Sequence, residues 1–132
     1  MLKRSQVRTK YRIESSKLID SLEMQEEDYN RIAKACMDAE EDIILISHGT
    51  DMMVDTVRAI ARMDLQKTII LFGAMIPYPV TGSDALFNLG FALAAVQTLP
   101  SGTYIGMNGK IFLHNNVKKN KKRGIFESLL QA

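Results

Sequence analysis

Several features that mark secreted and membrane-inserted proteins are missing from this chain of 132 residues. Its single cysteine, Cys36, excludes a disulfide within the chain and is typical of a protein from a reducing compartment. The N-terminal segment carries charged residues but no apolar core of a secretory signal. The longest apolar run, ALFNLGFALAAV, has about a dozen residues, whereas a bilayer requires ~20. These absences predict a cytoplasmic protein that has no membrane partner.

An excess of one charge is also missing. The 17 Lys and Arg against 15 Asp and Glu give a net charge of +2, which is too small to indicate a polyanionic partner. The basic segment NNVKKNKKRG (115–124) lacks the aromatic residues that favour single-stranded nucleic acid, so we predict no nucleic-acid partner. Three interpretations of this segment stay open: a solvated basic stretch, a phosphate-binding patch, or the source of one lysine that turns inward.

The common motifs of cofactor and metal chemistry do not occur. The patterns GxxxxGK[ST], GxGxxG and GxSxG are all absent, so no motif supports a bound nucleotide or a serine nucleophile. His48 and His114 have no cysteine or carboxylate companions at ligand spacing, and zinc requires a third protein ligand. We therefore predict neither a metal site nor a cofactor.

What the chain does contain is an alternation of short apolar runs with amphipathic segments. The runs predict strands at 42–47, 68–74 and 103–108, a further strand at 7–15, and helices at 25–40, 51–63 and 84–99. The first apolar strand is expected to be covered on both faces, and the last helix nearly all round. This order predicts right-handed crossovers in a single domain spanning 1–132. The predicted fold class is three-layer α/β/α with a mainly parallel sheet.

Loops that follow parallel strands gather at one edge of a sheet, where ligands bind. Here those loops read SHGTD, GAMIP and MNG. Thr50 or Asp51 can cap the helix that follows, with Gly49 permitting a tight turn. Alternatively, the hydroxyl and the carboxylate face a ligand near the helix N-terminus. The two interpretations are compatible, because capping and ligand contact use neighbouring atoms.

Three blocks of sequence together resemble the N-terminal domain of the bacterial-type L-asparaginase/glutaminase family over roughly residues 20–128. They are HGTDMMVDT, IILFGAMIPYPVTGSDALFNL and IGMNGKIF…VKKN. The resemblance implies a flavodoxin-like or Rossmann-like domain that is incomplete at its N-terminal strand. It also implies that Thr50 acts on the attacking water or on the substrate amide. It implies that Asp51 binds the substrate's α-amino group and that Lys119 pairs with the threonine. Lys118 stays open as an alternative to Lys119.

The resemblance also implies the rest of a substrate site and its chemistry. Ser21 would contact the substrate carboxylate, and Ala74 would contact the side-chain amide through its backbone. Amide hydrolysis needs a hydroxyl, a base that takes its proton, and donors for the oxyanion. Thr50 and a neutral Lys119 would supply the hydroxyl and the base. The implied activity is hydrolysis of L-asparagine, or a related small amide, to the acid and ammonia.

Two parts of the family pattern are missing from the sequence. No GGT occurs, although the family's N-terminal strand carries its first threonine nucleophile in that motif, and the C-terminal domain is absent. The chain is therefore either a truncated form of an asparaginase or a module that binds a small amino acid without catalysis. A sheet that lacks its N-terminal strand has an exposed edge. We therefore expect a homo-oligomer, a dimer or larger.

Overall fold

Helices and strands alternate in the computed structural model, which describes residues 1–2, 6–14 and 24–130. In chain order the described elements are α1 (Glu26–Asp38), β1 (Ile43–Ser47), α2 (Met53–Ala61), β2 (Thr68–Phe72), α3 (Ala85–Val96), β3 (Gly102–Met107), β4 (Lys110–Leu113), β5 (Lys118–Asn120) and β6 (Ile125–Glu127). No helix among these residues is long and apolar enough to cross a bilayer.

Four of the strands form one mainly parallel sheet in the order β1-β2-β3-β4. The first three run parallel, and β4 returns antiparallel to β3. The turn between them consists of Asn108 and Gly109, whose φ angles of 51° and 83° are typical of a two-residue hairpin. Strands β5 and β6 form a separate antiparallel pair. The predicted fold class, an α/β protein with a mainly parallel sheet, is confirmed.

The central strand β2 divides the core into two halves. Every residue of β2 is buried, and successive side chains point to opposite faces of the sheet. Ile69 and Leu71 pack in a cluster that includes side chains of α1 and α2, whereas Ile70 and Phe72 pack against α3. Complete burial of such a side chain stabilises the fold by about 1.5–3 kcal/mol. The helices therefore cover both faces, which makes three layers.

Three expectations from the sequence were wrong in detail. Residues 7–14 form no strand, and Arg12 instead pairs with Glu41 at 2.7 Å and with Glu14. Strand β1 is less buried than expected: Ile44 and Ile46 pack against one core cluster and Leu45 against the other, but the strand lies at the edge of the described sheet and Ile43 is 52% exposed. Helix α3 is not covered all round, since Phe87 is 60% exposed. The sequence analysis also missed β4, β5 and β6, which have three or four residues each.

Candidate active site

The carboxyl ends of β1, β2 and β3 lie at one edge of the sheet, because the three strands are parallel. The loops after β1 and β2 approach each other closely there. A Cβ atom added to Gly73 would lie 2.2 Å from the carbonyl oxygen of His48, so only glycine fits at this position. The loop with Thr50 and the loop with Ala74 are therefore held side by side.

Lys119 meets Thr50 and Asp51 at this edge. Its Nζ atom donates hydrogen bonds to Thr50 Oγ1 at 2.9 Å and to Asp51 Oδ1 at 2.7 Å. The Lys119 side chain is 14% exposed and that of Asp51 is 33% exposed, so solvent reaches the acid more than the amine. Because Thr50 accepts the lysine's hydrogen bond, its own hydroxyl proton is available to another acceptor.

Strand pairing explains why Lys119, and not Lys118, points toward this group. Lys119 lies opposite Phe126, which is 5% exposed, and residues directly opposite each other share a face of the hairpin. Lys118 lies opposite Glu127 on the other face, where its Nζ is 3.5 Å from that carboxylate. The structure therefore places the two alternative lysines on opposite sides.

The capping interpretation of the sequence was wrong. Helix α2 begins at Met53, its N-cap residue is Met52, and no side chain caps it. The side chains of Thr50 and Asp51 therefore lie before the cap, and their described hydrogen bonds are those from Lys119.

His48 links the turn before Thr50 to α2 through hydrogen bonds of its ring. The sequence analysis assigned no such role to this residue. Its Nδ1 atom is 2.6 Å from the Gly49 carbonyl oxygen, and its Nε2 atom is 2.8 Å from Thr56 Oγ1. Thr56 is fully buried, and its single hydroxyl proton lies between His48 Nε2 and the Met52 carbonyl oxygen, which is 3.3 Å from Oγ1. Burial of the ring lowers the pKa of His48, so the neutral form is favoured near pH 7.

A second polar group holds the loop after β2. Asn88 of α3 is fully buried and donates through Nδ2 to the Gly73 carbonyl at 2.8 Å. Its Oδ1 atom accepts a hydrogen bond from the Asn108 backbone N–H at 2.8 Å. An asparagine inside the otherwise apolar run ALFNLGFALAAV was a signal in the sequence, since a buried amide needs partners.

Asp84 completes this group from the residue before α3. Its carboxylate accepts from the backbone N–H groups of Met75 at 3.2 Å and Ile76 at 3.1 Å, and from Asn108 Nδ2 at 2.9 Å. Partial burial opposes ionisation of Asp84, but the hydrogen bonds from Asn108, Ile76 and Met75 outweigh it. These hydrogen bonds hold the pKa of Asp84 below its ordinary value.

The other predicted site residues have different outcomes. Ala74 lies at the same edge, partly exposed, between the held residues Gly73 and Met75. Ser21 lies outside the described residues. Within the part of the chain that the structure describes, no three His, Cys, Asp or Glu side chains cluster as metal ligands would.

Comparison with known proteins identifies one family and several relatives of this chain. The sequence profile of a family described as "Asparaginase, N-terminal" matches residues 1–128. The L-asparaginase of Thermococcus kodakarensis is 35% identical over 117 residues, which are 84% of this chain and 36% of that protein. L-asparaginase 1 of Escherichia coli K12 is 34% identical over 112 residues, 80% of this chain and 33% of that protein. The chain thus spans about a third of the length of these relatives.

Solved structures show the same similarity. The thermostable L-asparaginase from Thermococcus kodakarensis superposes with a TM-score of 0.84 at 30% identity, covering 99% of this chain and 43% of that one. A probable cytoplasmic L-asparaginase from Campylobacter jejuni superposes with a TM-score of 0.70 at 30% identity, covering 76% of this chain and 35% of that one.

Proposed function

Since this chain belongs to the asparaginase family, matching its N-terminal domain, we propose that it binds L-asparagine or a related small amide and hydrolyses the side-chain amide to the acid and ammonia. We also propose that residues 1–132 form one domain of this N-terminal type. The observation that supports the activity is the contact of Lys119 with both Thr50 and Asp51.

The chemistry follows from the order of these contacts. Asp51, whose side chain is more exposed than that of Lys119, binds the α-ammonium group of the substrate. In this proposal Lys119, in its neutral form, is the base. The neutral amine then takes a proton from Thr50 Oγ1, or from a water that Thr50 orients, as the oxygen attacks the amide carbon. The proton passes to the leaving nitrogen, which departs as ammonia. When water is the nucleophile, the acid forms directly; when Thr50 Oγ1 is the nucleophile, an acyl ester remains on Thr50, and a water then hydrolyses it to the acid and restores the hydroxyl.

A coupled ammonia assay with matched lysine variants tests this proposal. We expect Lys119→Met to abolish ammonia release from L-asparagine and Lys118→Met to leave it near the wild-type rate, because Lys118 lies on the other face of the hairpin. Thr50→Val removes the hydroxyl with little change of shape and should also abolish release. Unchanged release in Thr50→Val refutes the proposed role of that hydroxyl.

A binding module without catalysis is the second candidate function. It is favoured by the partly exposed Asp51 carboxylate, which can hold the α-ammonium group of an amino acid whether or not the amide is hydrolysed. Titration calorimetry with L-asparagine, run beside the ammonia assay, separates the two candidates. Heat of binding without ammonia supports the module, whereas ammonia release that Thr50→Val abolishes supports the hydrolase.

We also propose that the protein forms a homo-oligomer through the edge of β1 that none of the described strands covers. Backbone hydrogen bonds of Asp42 and His48 point to β2, so by alternation Ile43, Leu45 and Ser47 direct their backbone groups away from it. No described strand pairs with these groups, and such edges associate readily. Light scattering at micromolar concentration should give at least the mass of a dimer, and a uniform monomer contradicts the proposal.

A cytoplasmic location is proposed on two observations. The chain has one cysteine, and its structural neighbour from Campylobacter jejuni is described as a probable cytoplasmic protein. Cell fractionation with an antibody against the chain should recover it with cytoplasmic markers, and recovery outside the cytoplasm contradicts this.

A further inference from the structure

We propose that Asp84, Asn88 and Asn108 are positioning residues that orient the backbone of Ala74 so that it recognises a side-chain amide in preference to a carboxylate. The inference rests on the proposed function, and it concerns the loop of residues 73–76 that follows β2. None of the three side chains belongs to the group around Lys119.

The loop is held firmly before Ala74. The Gly73 N–H donates to the sulfur of Met107 at 3.3 Å, and the Gly73 carbonyl accepts from Asn88 Nδ2 at 2.8 Å. Asn88 is itself held at its other end by the Asn108 N–H, so both ends of its amide have fixed partners. The peptide group that precedes Ala74 therefore has one orientation.

The loop is held equally after Ala74. The two oxygens of Asp84 accept from the N–H groups of Met75 and Ile76, at 3.2 and 3.1 Å. Asn88 Nδ2 and Asn108 Nδ2 donate to the same carboxylate at 3.0 and 2.9 Å. One carboxylate with four donors is a strong anchor, because hydrogen bonds to a charged acceptor are stronger than neutral ones.

Ala74 differs from its neighbours in this loop. Among the described residues it makes no hydrogen bond through its own N–H or C=O, and it is partly exposed at the edge where Thr50 lies. A fixed carbonyl accepts a hydrogen bond from the NH₂ group of an amide. It repels a carboxylate, which has no proton to donate. Correct placement of this carbonyl would therefore separate asparagine from aspartate.

Amide hydrogen exchange tests the positioning without any ligand. In Asp84→Asn one acceptor oxygen becomes an NH₂ group, so one of the Met75 and Ile76 N–H groups loses its acceptor and the other keeps only a neutral one. We expect at least about tenfold faster exchange at one or both of these amides than in the wild-type protein. Asp64→Asn, which neutralises an exposed acid after α2, should leave both rates unchanged. Equal rates in wild type and Asp84→Asn overturn the inference.

Ligand discrimination tests its consequence. The ratio of the Kd for L-aspartate to the Kd for L-asparagine should fall about threefold to tenfold in Asp84→Asn, which corresponds to one hydrogen bond. Asn108→Gly keeps the left-handed backbone and the N–H to Asn88 but removes the side-chain contact with Asp84, and it should lower the ratio in the same direction.

The outcomes distinguish this inference from the proposed function. A purely structural role would weaken both ligands alike and leave the ratio at its wild-type value, which overturns the inference. Wild-type protein that binds no asparagine overturns the proposed function, and the recognition role of Ala74 with it. Wild-type binding of asparagine with an unchanged ratio in both variants overturns the inference alone.

Discussion

The same substitution, glycine to alanine, should have opposite effects at Gly73 and Gly90. At Gly73 the new Cβ would lie 2.2 Å from the His48 carbonyl oxygen and 3.1 Å from the Met53 Cε. The first neighbour is backbone, so the ends of β1 and β2 must move apart by about 1 Å to restore ordinary contact, and overpacking of this kind costs about 1–3 kcal/mol. At Gly90, inside α3, a Cβ meets nothing within 4 Å.

Alanine at Gly90 should stabilise the protein by about 0.5–1 kcal/mol, because glycine in a helix loses more backbone entropy on folding. Urea unfolding followed by circular dichroism measures both variants against the wild type. We expect Gly73→Ala to lower the free energy of unfolding and also to weaken asparagine binding, since His48 immediately precedes the Gly49–Thr50 turn. A free energy for Gly73→Ala within about 0.5 kcal/mol of wild type would refute the close approach of the two loops.

Three further predictions concern single side chains. Burial raises the pKa of the Cys36 thiol to about 11, so Ellman's reagent should react with it only after unfolding, and rapid reaction of the native protein would contradict this. Burial lowers the pKa of His48 below 6.5; the unfolded chain therefore binds the proton more readily, and stability is full above that pH and falls below it. His48→Gln should flatten the dependence of the unfolding free energy on pH below about 6.5, and an unchanged slope would count against it. Lys67 Nζ donates to the carbonyl oxygens of Cys36 and Ala39 at the end of α1. In urea titrations Lys67→Met should therefore lower the free energy of unfolding by about 1–2 kcal/mol. The control Lys34→Met removes only an exposed ion pair and should change this free energy by less than about 1 kcal/mol.

Strand β2 could be predicted from the sequence and the environment of β1 could not, for one physical reason. An apolar run records that a strand is buried, but not which neighbours bury it. Thr68–Phe72 has a strand on each side and a helix layer on each face, so every residue is buried. Ile43–Ser47 is as apolar, yet it has a strand on one side only within the described residues. Strand pairing is a property of the whole chain.

The sequence contains the information that selects Lys119 over Lys118, but only the register of β5 against β6 makes that information readable. KKNKKR contains no apolar alternation, so Lys118 and Lys119 are equivalent in the segment itself. The information lies in the partner strand, where Phe126 and Glu127 alternate between core and solvent. A hairpin register that sets Lys119 opposite Phe126 decides the question. The register in turn depends on the turn between β5 and β6, where Gly124 has a φ of 63°.

The ion pair of Lys119 with Asp51 is more easily explained by ligand binding than by stability. Solvent-exposed ion pairs contribute about 0–1 kcal/mol to folding, and more buried pairs, such as this one with side chains 14% and 33% exposed, lose in desolvation much of what they gain in attraction. An apolar residue opposite Phe126 would bury as much surface without that loss. An amine at this position, in contact with the Thr50 hydroxyl and the partly exposed Asp51 carboxylate, is consistent with a site whose charged groups bind a ligand. The free energy of unfolding of Lys119→Met should therefore change far less than its affinity for the substrate.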